Sequence, residues 1–248
     1  MEGIRDGQMQ AALDAHVGAR YTQHSTGVAD GKEGFMAFFA PFLERNPVRD
    51  IRVLRAIEDG PYVFLHAYQS LNDGKAKWVT ADMFDTDEDD RVIEHWDVIQ
   101  EFVEETASGR SMVDGPTEVQ DLDETEANKA IVRRFASEVL QAGQIDKVTD
   151  FISVTQYDQH NPNVEDGLEG FGKFLQELSA SGQSMEYVEV HRLIGQGNFV
   201  VLYSRVQLGG EDYAVFDVFR LEGGKIVEHW DVQEKISPKE MWNNSGKF

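Results

Sequence analysis

The chain has 248 residues, of which 45 are acidic and 23 are basic, so its formal net charge at pH 7 is −22. A charge of this sign repels nucleic-acid phosphates and anionic lipids, and we expect neither nucleic acid nor a membrane as a partner. The chain contains no cysteine, which excludes disulfides, thiolate metal sites and cysteine nucleophiles.

The predicted elements fall into two successive runs. In the first run, residues 6–17 indicate a short helix, and β-rich segments follow at 62–70, 81–84 and 94–98. Residues 104–124 are polar and predict a connector between the runs.

The second run begins with a long amphipathic helix over 123–143, where apolar residues recur at helical spacing. Asp123 and Glu126 resemble a capping box, and Gly143 is expected to end the helix. Two shorter helices and four strands are predicted at 144–152, 170–181, 184–195, 199–208, 211–221 and 224–233. Helices followed by an antiparallel meander predict the α+β class.

The two runs are copies of one unit. "YTQHSTGVADGKEGFMAFF" at 21–39 matches "YDQHNPNVEDGLEGFGKFL" at 157–175, and "EHWDV" occurs at both 94–98 and 228–232. The offset between matched segments stays within 134–137 residues. Such self-similarity predicts a tandem duplication.

The duplication predicts two domains of ordinary size. We place the first domain at 1–108, a linker at 109–123 and the second domain at 124–248. The first domain has no counterpart of the helix predicted over 123–143.

The repeated EHWDV segment carries the candidate chemistry. Residues two apart on a strand share a face, so His95 lies with Asp97, and His229 lies with Asp231. An imidazole beside a carboxylate is a plausible proton-transfer cluster. The alternative is a structural hydrogen bond that holds a strand in place.

A further aspartate precedes this segment in each copy. A three-residue loop at 222–224 would place Asp217 directly opposite His229 and add a second carboxylate to the cluster. A two-residue loop would turn that aspartate to the other face. We predict the longer loop, and a four-residue tip places Asp82 opposite His95 by the same count.

Two further histidines, His24 and His160, are each predicted at the end of a short helix. They are either polar groups at a pocket mouth or helix C-terminal caps. Trp96 and Trp230 lie on the strand face opposite the histidines of EHWDV and are interpreted as packing or interface aromatics.

Four further side chains are candidate ligand contacts. Tyr21 and Tyr157 open the matched segments, and His66 is aligned with Tyr203. The last two either vary with the ligand or fill space.

The common cofactor and metal motifs are missing from the sequence. There is no HExxH, phosphate loop, GxGxxG or Gly-x-Ser-x-Gly motif. We therefore predict no metal and no cofactor, although two His and two Asp per copy would be enough to ligate an ion. No apolar run of 18 residues and no signal pattern is found, which favours a cytoplasmic location.

Three segments of the second copy resemble the SnoaL-like polyketide cyclase family, and in particular its branch of predicted aldol-condensation enzymes within the nuclear-transport-factor-2-like superfamily. The segments are "YDQHNPNVEDGLEGF", "VHRLIGQGNFVVLYSRV" and "DVFRLEGGKIVEHWDV". The resemblance covers 126–242 and, more loosely, 10–100. It implies two tandem cone-shaped domains, each a curved antiparallel sheet wrapped round helices with an internal pocket, working without metal or cofactor.

The same resemblance implies which residues line the pockets. They are His160, Asp217, His229 and Asp231 in the second copy, and His24, Asp82, His95 and Asp97 in the first. We interpret the protein as an acid–base enzyme on a small carbonyl compound, an aldol-type cyclase or isomerase. The alternatives are a non-catalytic small-molecule-binding module and an interaction scaffold.

The resemblance also implies an intrachain pseudo-dimer formed through the sheets, with Trp96 and Trp230 as candidates for the shared face, and it is compatible with a homo-oligomer. The first copy has Ser25-Thr26 where the second has Asn161-Pro162. One pocket is therefore either degenerate or completed by the other copy.

Overall fold

A computed structural model describes residues 1–248, which divide into two compact units. The first unit comprises residues 1–101 and 236–248, and the second comprises residues 102–235. This division differs from the predicted domains in three segments. Residues 102–108, predicted in the first domain, and the predicted linker both belong to the second unit, and the C-terminal tail, 236–248, belongs to the first.

The first unit is a five-stranded sheet with three helices. Its strand order is β1-β5-β4-β3-β2, and only the β1–β5 pairing is parallel. The elements are α1 (Glu2–Arg5), α2 (Met9–His16), β1 (Val17–Gln23), α3 (Gly31–Arg45), β2 (Arg49–Asp59), β3 (Tyr62–Leu71), β4 (Ala76–Thr86) and β5 (Val92–Glu101).

The second unit has a sheet of the same order, β6-β10-β9-β8-β7, again with one parallel pairing, between β6 and β10. Its elements are α4 (Thr125–Phe135), α5 (Val148–Phe151), β6 (Asp158–Gln159), α6 (Gly167–Ala180), β7 (Met185–Gln196), β8 (Phe199–Leu208), β9 (Glu211–Glu222) and β10 (Lys225–Lys235). Short 3₁₀ helices lie at Leu122–Glu124 and Ile145–Lys147 of this unit and at Lys239–Met241 in the tail of the first unit. The α+β class is confirmed. No helix of the structure has both the length and the apolar character needed to cross a bilayer.

The long helix of the second unit forms because its apolar face has a sheet to cover. Val132, Phe135 and Val139 are buried in a cluster with Phe219 and Leu221 of β9. Each large side chain buried in this way contributes about 1.5–3 kcal/mol.

The predicted C-terminal end of this helix agrees with the structure, whereas the predicted N-terminal cap does not. After α4 the chain continues through a π-helical segment, Ala136–Gln141, and Gly143 follows with a positive φ of 66°. This is the predicted end, at a residue type that adopts the left-handed conformation without penalty. The predicted capping box is wrong, because the first turn contains no side-chain capping bond.

The β9–β10 hairpin corrects the predicted register. Glu222 pairs with Lys225, so the loop is the two residues Gly-Gly, both with positive φ, as a tight hairpin turn requires. One extra residue, Val227, then shifts the register, and Asp217 pairs with Asp231. The bulge reverses the change of face that a two-residue loop alone would cause. The predicted face is therefore right, while the predicted partner is wrong.

The first unit reaches the same register by a different loop. Thr86 pairs with Val92, a further shift follows, and Asp82 pairs with Asp97. His95 is opposite Phe84 instead of Asp82. In both units the carboxylate of the earlier strand lies diagonal to the imidazole.

Candidate functional site

The second unit encloses a cavity of about 240 Å³ between α4, α6 and one face of the sheet. Its walls are mainly apolar and aromatic. The polar side chains that line it include Tyr157, Gln159, Asn161, Tyr187, Asp217, His229 and Asp231.

An imidazole–carboxylate pair lies at the centre of this lining. His229 Nε2 is 3.0 Å from Asp217 Oδ1, and His229 Nδ1 is 3.0 Å from Gln159 Oε1. The Tyr187 hydroxyl donates to both oxygens of Asp217, at 3.1 and 3.2 Å. Both ring nitrogens thus face oxygen acceptors, an arrangement that suits an imidazolium ion. Asp217 and His229 are therefore held by several hydrogen bonds.

The second carboxylate is held on one side only. Asn161 Nδ2 donates to Asp231 Oδ2 at 2.5 Å. The other oxygen, Oδ1, is buried and accepts no hydrogen bond from another residue. Burial raises the pKa of Asp231 to about 6, with a further rise from the charge of Asp217 that the nearby His229 opposes. This carboxyl group therefore changes protonation near neutral pH and has an oxygen available to a ligand.

Tyr157 supplies a hydroxyl to the same cavity. Its oxygen accepts a hydrogen bond from Gln159 Nε2 at 3.2 Å, and its own proton has no protein acceptor. Burial, reinforced by the charges of Asp217 and Asp231, raises the pKa of this phenol. The group stays protonated and is a donor for a ligand oxygen.

The first unit repeats the central pair in a larger cavity, of about 660 Å³. His95 Nε2 is 3.0 Å from Asp82 Oδ1, and His95 Nδ1 is 3.0 Å from Gln23 Oε1. Thr80 donates to Asp82 Oδ2 at 2.9 Å, and Tyr21 lines this cavity as Tyr157 lines the other.

The aspartate of EHWDV, which is Asp97 in the first unit and Asp231 in the second, has a different partner in each unit. In the first unit the C-terminal tail brings the buried Lys247 to Asp97, with Nζ 3.1 Å from Oδ1 and 2.9 Å from the backbone oxygen. Burial works against ionisation of Asp97, but Lys247 and then His95 outweigh it, and the pKa of this carboxyl is lowered. Asp97 is a paired anion, whereas Asp231 titrates near neutral pH.

The structure does not bring His24 and His160 into the cavities. Each follows a short strand, β1 or β6, and not the predicted helix, because its backbone N–H donates to the facing strand, to His95 O and His229 O respectively. Their rings stack on the indoles of EHWDV, with centroids 4.9 Å apart for His24–Trp96 and 4.6 Å apart for His160–Trp230.

The hydrogen bonds of these two histidines are structural. His160 Nε2 is 2.9 Å from the buried Glu228, and His24 Nε2 is 2.8 Å from Glu94. Glutamate and tryptophan alternate with histidine and aspartate along each strand, so these contacts lie on the sheet face away from the cavity. His24 and His160, which the resemblance places among the pocket-lining residues, therefore do not line the cavities.

His66 and Tyr203 also lie on that other face. His66 pairs with Ala81, next to Asp82, and its Nδ1 is 3.1 Å from the guanidinium of Arg55. Tyr203 pairs with Phe216 and stacks on it at 4.2 Å. Neither residue lines a cavity. Side chains alternate between the two faces of a strand, so the residues directly before and after His66 and Tyr203 face the cavity side of each sheet, whereas His66 and Tyr203 do not.

Sequence reasoning missed several residues that line or complete the sites. Gln23 and Gln159 were visible as identities in the matched segments, next to the histidines that drew attention. Tyr187 lies on a predicted strand, where tyrosine is common, and Lys247 lies in a C-terminal segment that has no sequence counterpart in the first copy. Neither position therefore indicated a functional residue.

Asp217, His229 and Asp231 are the only set in the structure whose potential ligand atoms lie close enough to hold a metal ion, within 4.8 Å of one another. Both nitrogens of His229 are already engaged, by Asp217 and Gln159. An ion would have to displace the His–Asp bond, so the arrangement fits proton transfer better than metal ligation.

Comparison with known families identifies the domain around this cavity. The family model described as the SnoaL-like domain matches residues 132–229. Residues 132–229 form a SnoaL-like domain. The matched stretch contains Asp217 and His229 and ends two residues before Asp231. No curated protein matches the chain.

Three solved structures similar to this chain each cover less than half of it. An LEH-like epoxide hydrolase from M. tuberculosis is 21% identical, covers 45% of this chain and 85% of its own, and has a TM-score of 0.37. A provisionally assigned ketosteroid isomerase from Kribbella flavida DSM 17836 is 16% identical, covers 46% and 83%, and scores 0.39. A protein of unknown function with a cystatin-like fold from Xanthomonas campestris is 20% identical, covers 43% and 89%, and scores 0.37.

Proposed function

We propose that the second unit is a cofactor-free acid–base catalyst that acts on a small, largely apolar carbonyl compound by an aldol-type cyclisation or an isomerisation. The observation that carries this proposal is the Asp231 carboxyl group. It is buried in an apolar cavity, its pKa is raised to about 6, and one of its oxygens accepts no hydrogen bond from another residue. General bases work best with a pKa near the operating pH.

The proposed reaction begins with removal of a proton from the carbon next to the ligand carbonyl. The ionised Asp231 takes the proton, the C–H electron pair forms the enolate double bond, and the carbonyl π pair moves to oxygen. Tyr157 donates a hydrogen bond to that oxygen, which stabilises the developing charge in a water-poor site.

The second half of the reaction returns the proton. In an isomerisation of a β,γ-unsaturated ketone, the enolate is conjugated with the second double bond. Protonated Asp231 then delivers the proton to the γ carbon, the double bond moves to the α,β position, and the enolate oxygen reforms its carbonyl. In a cyclisation, the enolate carbon attacks a second carbonyl of the same molecule, and the proton goes to the new alkoxide. Either route balances without an oxidant, a reductant or a metal ion.

Asp217 and His229 act as positioning groups in this proposal. Both oxygens of Asp217 accept from Tyr187, and one also faces His229, so this carboxylate has less capacity to accept a substrate proton. The pair fixes the charges beside Asp231 and thereby tunes its pKa. Of the two carboxylates considered from the sequence, the geometry favours Asp231 as the base.

The dimensions and charge of the cavity favour a small uncharged substrate. A volume of about 240 Å³ lies just below the usual range for ligand sites, about 300–1,000 Å³. Two aspartates in a low-dielectric site repel an anionic ligand.

The two alternatives suggested by the sequence have less support. An interaction scaffold predicts a cavity filled by side chains, whereas this cavity has an unfilled volume of about 240 Å³. A binding module without catalysis predicts that every His and Asp is consumed in structural bonds, whereas Asp231 Oδ1 accepts none from another residue.

Exchange of α-protons in D₂O, followed by NMR with 1-indanone, 2-tetralone and a panel of aliphatic ketones, tests the proposal. We expect catalysed exchange that rises as pH increases through about 6 and then levels off, because the base must be ionised. Tyr157→Phe should lower the plateau by about 10²–10³-fold, since it removes the donor to the enolate oxygen.

Tyr213→Phe is the matched control, because Tyr213 lines the same cavity without a hydrogen bond to Asp231. Its exchange rate should equal that of the parent protein. Equal losses in the two variants, or no catalysed exchange with any compound of the panel, would contradict the proposed chemistry.

A further inference from the structure

In each repeat, the segment that follows the last strand belongs to the unit of the other repeat. β5 ends at Glu101, and the residues from 102 onward belong to the second unit. β10 ends at Lys235, and residues 236–248 belong to the first unit. We call these two stretches, 102–114 and 236–248, the closing segments. Each unit thus contains the closing segment of the other repeat.

The two closing segments share no sequence motif, yet both make the same contact. In the first unit, Nδ1 of His24 is 2.7 Å from the backbone oxygen of Gly246. In the second unit, Nδ1 of His160 is 2.6 Å from the backbone oxygen of Ser111. The residue that follows this carbonyl is buried in both segments. The same histidine of the repeat therefore binds an equivalent point of each closing segment.

The C-terminal closing segment donates most of the hydrogen bonds that join it to the first unit. Asn244 Nδ2 donates to two backbone oxygens of residues 25–28, at 2.6 and 2.9 Å. Asn243 donates to two further backbone oxygens of the same loop, at 2.9 Å from its backbone nitrogen and at 3.0 Å from Nδ2. The loop thus presents a set of acceptors to a segment that supplies the donors.

Lys247 anchors this closing segment by a buried charge. Its Nζ is 3.1 Å from Asp97 Oδ1 and 2.9 Å from the backbone oxygen of the same residue. The two side chains are 1% and 9% exposed. Removal of either partner leaves an unpaired charge in a buried site, which is strongly unfavourable. The pair therefore selects a segment that has a lysine at this position.

The connection between β10 and the anchored residues is exposed. Residues 238–241 all lie on the surface, and they include Pro238 and a short 3₁₀ turn. This connection can change direction without breaking a buried contact. Exchange of an identical element between two copies is a low-cost route to a dimer, because the same contacts form in the exchanged state.

We propose that the site on the first unit that holds residues 236–248 is an interaction site for a second copy of this chain, and that two chains bind by exchanging these tails. Each repeat already gives its closing segment to a unit other than its own, and in an exchanged dimer that unit belongs to the partner chain. The Lys247–Asp97 pair determines the specificity. This inference does not depend on the acid–base function of the second unit.

Mixing two full-length variants with complementary defects tests this inference. Lys247→Met has a defective tail and an intact site, whereas Asp97→Asn has a defective site and an intact tail. Each variant alone should hold its own tail weakly, because one buried charge lacks its partner. On mixing, we expect a heterodimer by native mass spectrometry with one chain isotope-labelled. Exchange restores the pair at one site and leaves no charge at the other.

Lys239→Met is the matched control for the defective tail, because Lys239 is exposed in the same segment. This variant keeps its own tail in place, so it should form no heterodimer with Asp97→Asn. Circular dichroism establishes that each variant is folded. Folded variants that stay monomeric on mixing, or heterodimers that form equally well with Lys239→Met, would overturn the inference.

A peptide measurement decides the question should either charge variant fail to fold. Asn244→Ala weakens the tail by removing two hydrogen bonds, and it leaves both charges in place. A fluorescent peptide of residues 236–248 should bind this full-length variant saturably. The same peptide with Lys247→Met should bind at least about tenfold more weakly, since it brings no cation to Asp97. Equal binding of the two peptides, or binding of neither, would overturn the inference.

Discussion

Replacing Asp231 with asparagine is expected to abolish proton transfer in the second cavity and, at the same time, to stabilise the fold at neutral pH. A positioned general base contributes about 10²–10⁴-fold to rate, so α-proton exchange should fall to background. Asparagine is close in shape and retains an oxygen that can accept from Asn161. The loss would therefore report on chemistry and not on misfolding.

The gain in stability follows from the direction of the pKa shift. The folded-state pKa of Asp231 is raised to about 6, above the value of about 3.9 for an unfolded aspartate. Its contribution to the free energy of unfolding is therefore fully present below pH 4 and is lost as pH rises through 6. By linkage, the ionised group costs about 3 kcal/mol at pH 8, and asparagine removes that cost.

Urea unfolding at pH 4 and pH 8 measures this effect. Asp231→Asn should be more stable than the parent protein at pH 8 and close to it at pH 4. Asp97→Asn is the matched control with the opposite expected sign at pH 8, because the lowered pKa of Asp97 reflects a stabilising pair with Lys247. A less stable Asp231→Asn at pH 8, or one that retains exchange, would contradict both the assigned base and its burial.

Lys247→Met is expected to destabilise the first unit by about 3 kcal/mol, because it leaves the Asp97 carboxylate buried without its cation. Both side chains are nearly inaccessible, with relative exposures of 1% and 9%. The pKa of Asp97 should rise once burial is no longer opposed by Lys247.

The pH dependence distinguishes this mechanism from simple loss of packing. Because the folded pKa of Asp97 is lowered, the stability it confers is present above the unfolded pKa of about 3.9 and is lost as pH falls through the folded value. The difference between Lys247→Met and the parent protein should therefore be large at pH 8 and shrink near pH 4.

Two further variants complete the test of the Lys247 pair. Lys239→Met removes an exposed tail lysine and should unfold like the parent protein. The double variant Lys247→Met/Asp97→Asn removes both charges and should recover much of the lost stability, since no ion is then left unpaired. A destabilisation independent of pH, or no recovery in the double variant, would show that the charge pair is not the cause.

The structure separates what local pattern can predict from what it cannot. The α+β class, the strands over residues 184–233 and the shared face of His229 and Asp231 follow from periodicity, which depends only on backbone geometry. The end of the long helix at Gly143 can also be predicted from the sequence, since glycine adopts positive φ without a steric penalty. These predictions needed no knowledge of which elements touch.

The partner of Asp217 depended on more than the loop length. A three-residue loop predicts Asp217 opposite His229, yet the loop has two residues and the bulge at Val227 keeps this aspartate on the predicted face. A bulge has no dependable signature in sequence, since it forms where strand twist and side-chain packing favour an extra residue.

Spacing along the chain is enough to predict the class of fold, the recurrence of a His–Asp pair in both halves and the shared face of His229 and Asp231. The remaining features depend on contacts between distant segments. Tertiary structure turned His24 and His160 towards the tryptophans, and it placed Lys247 beside Asp97, 150 residues away. The physical reason is that the charge state of a buried carboxyl depends on which groups surround it in space. Asp97 and Asp231 occupy the same position in two copies of EHWDV, and burial beside a lysine or beside an asparagine sets their ionisation apart.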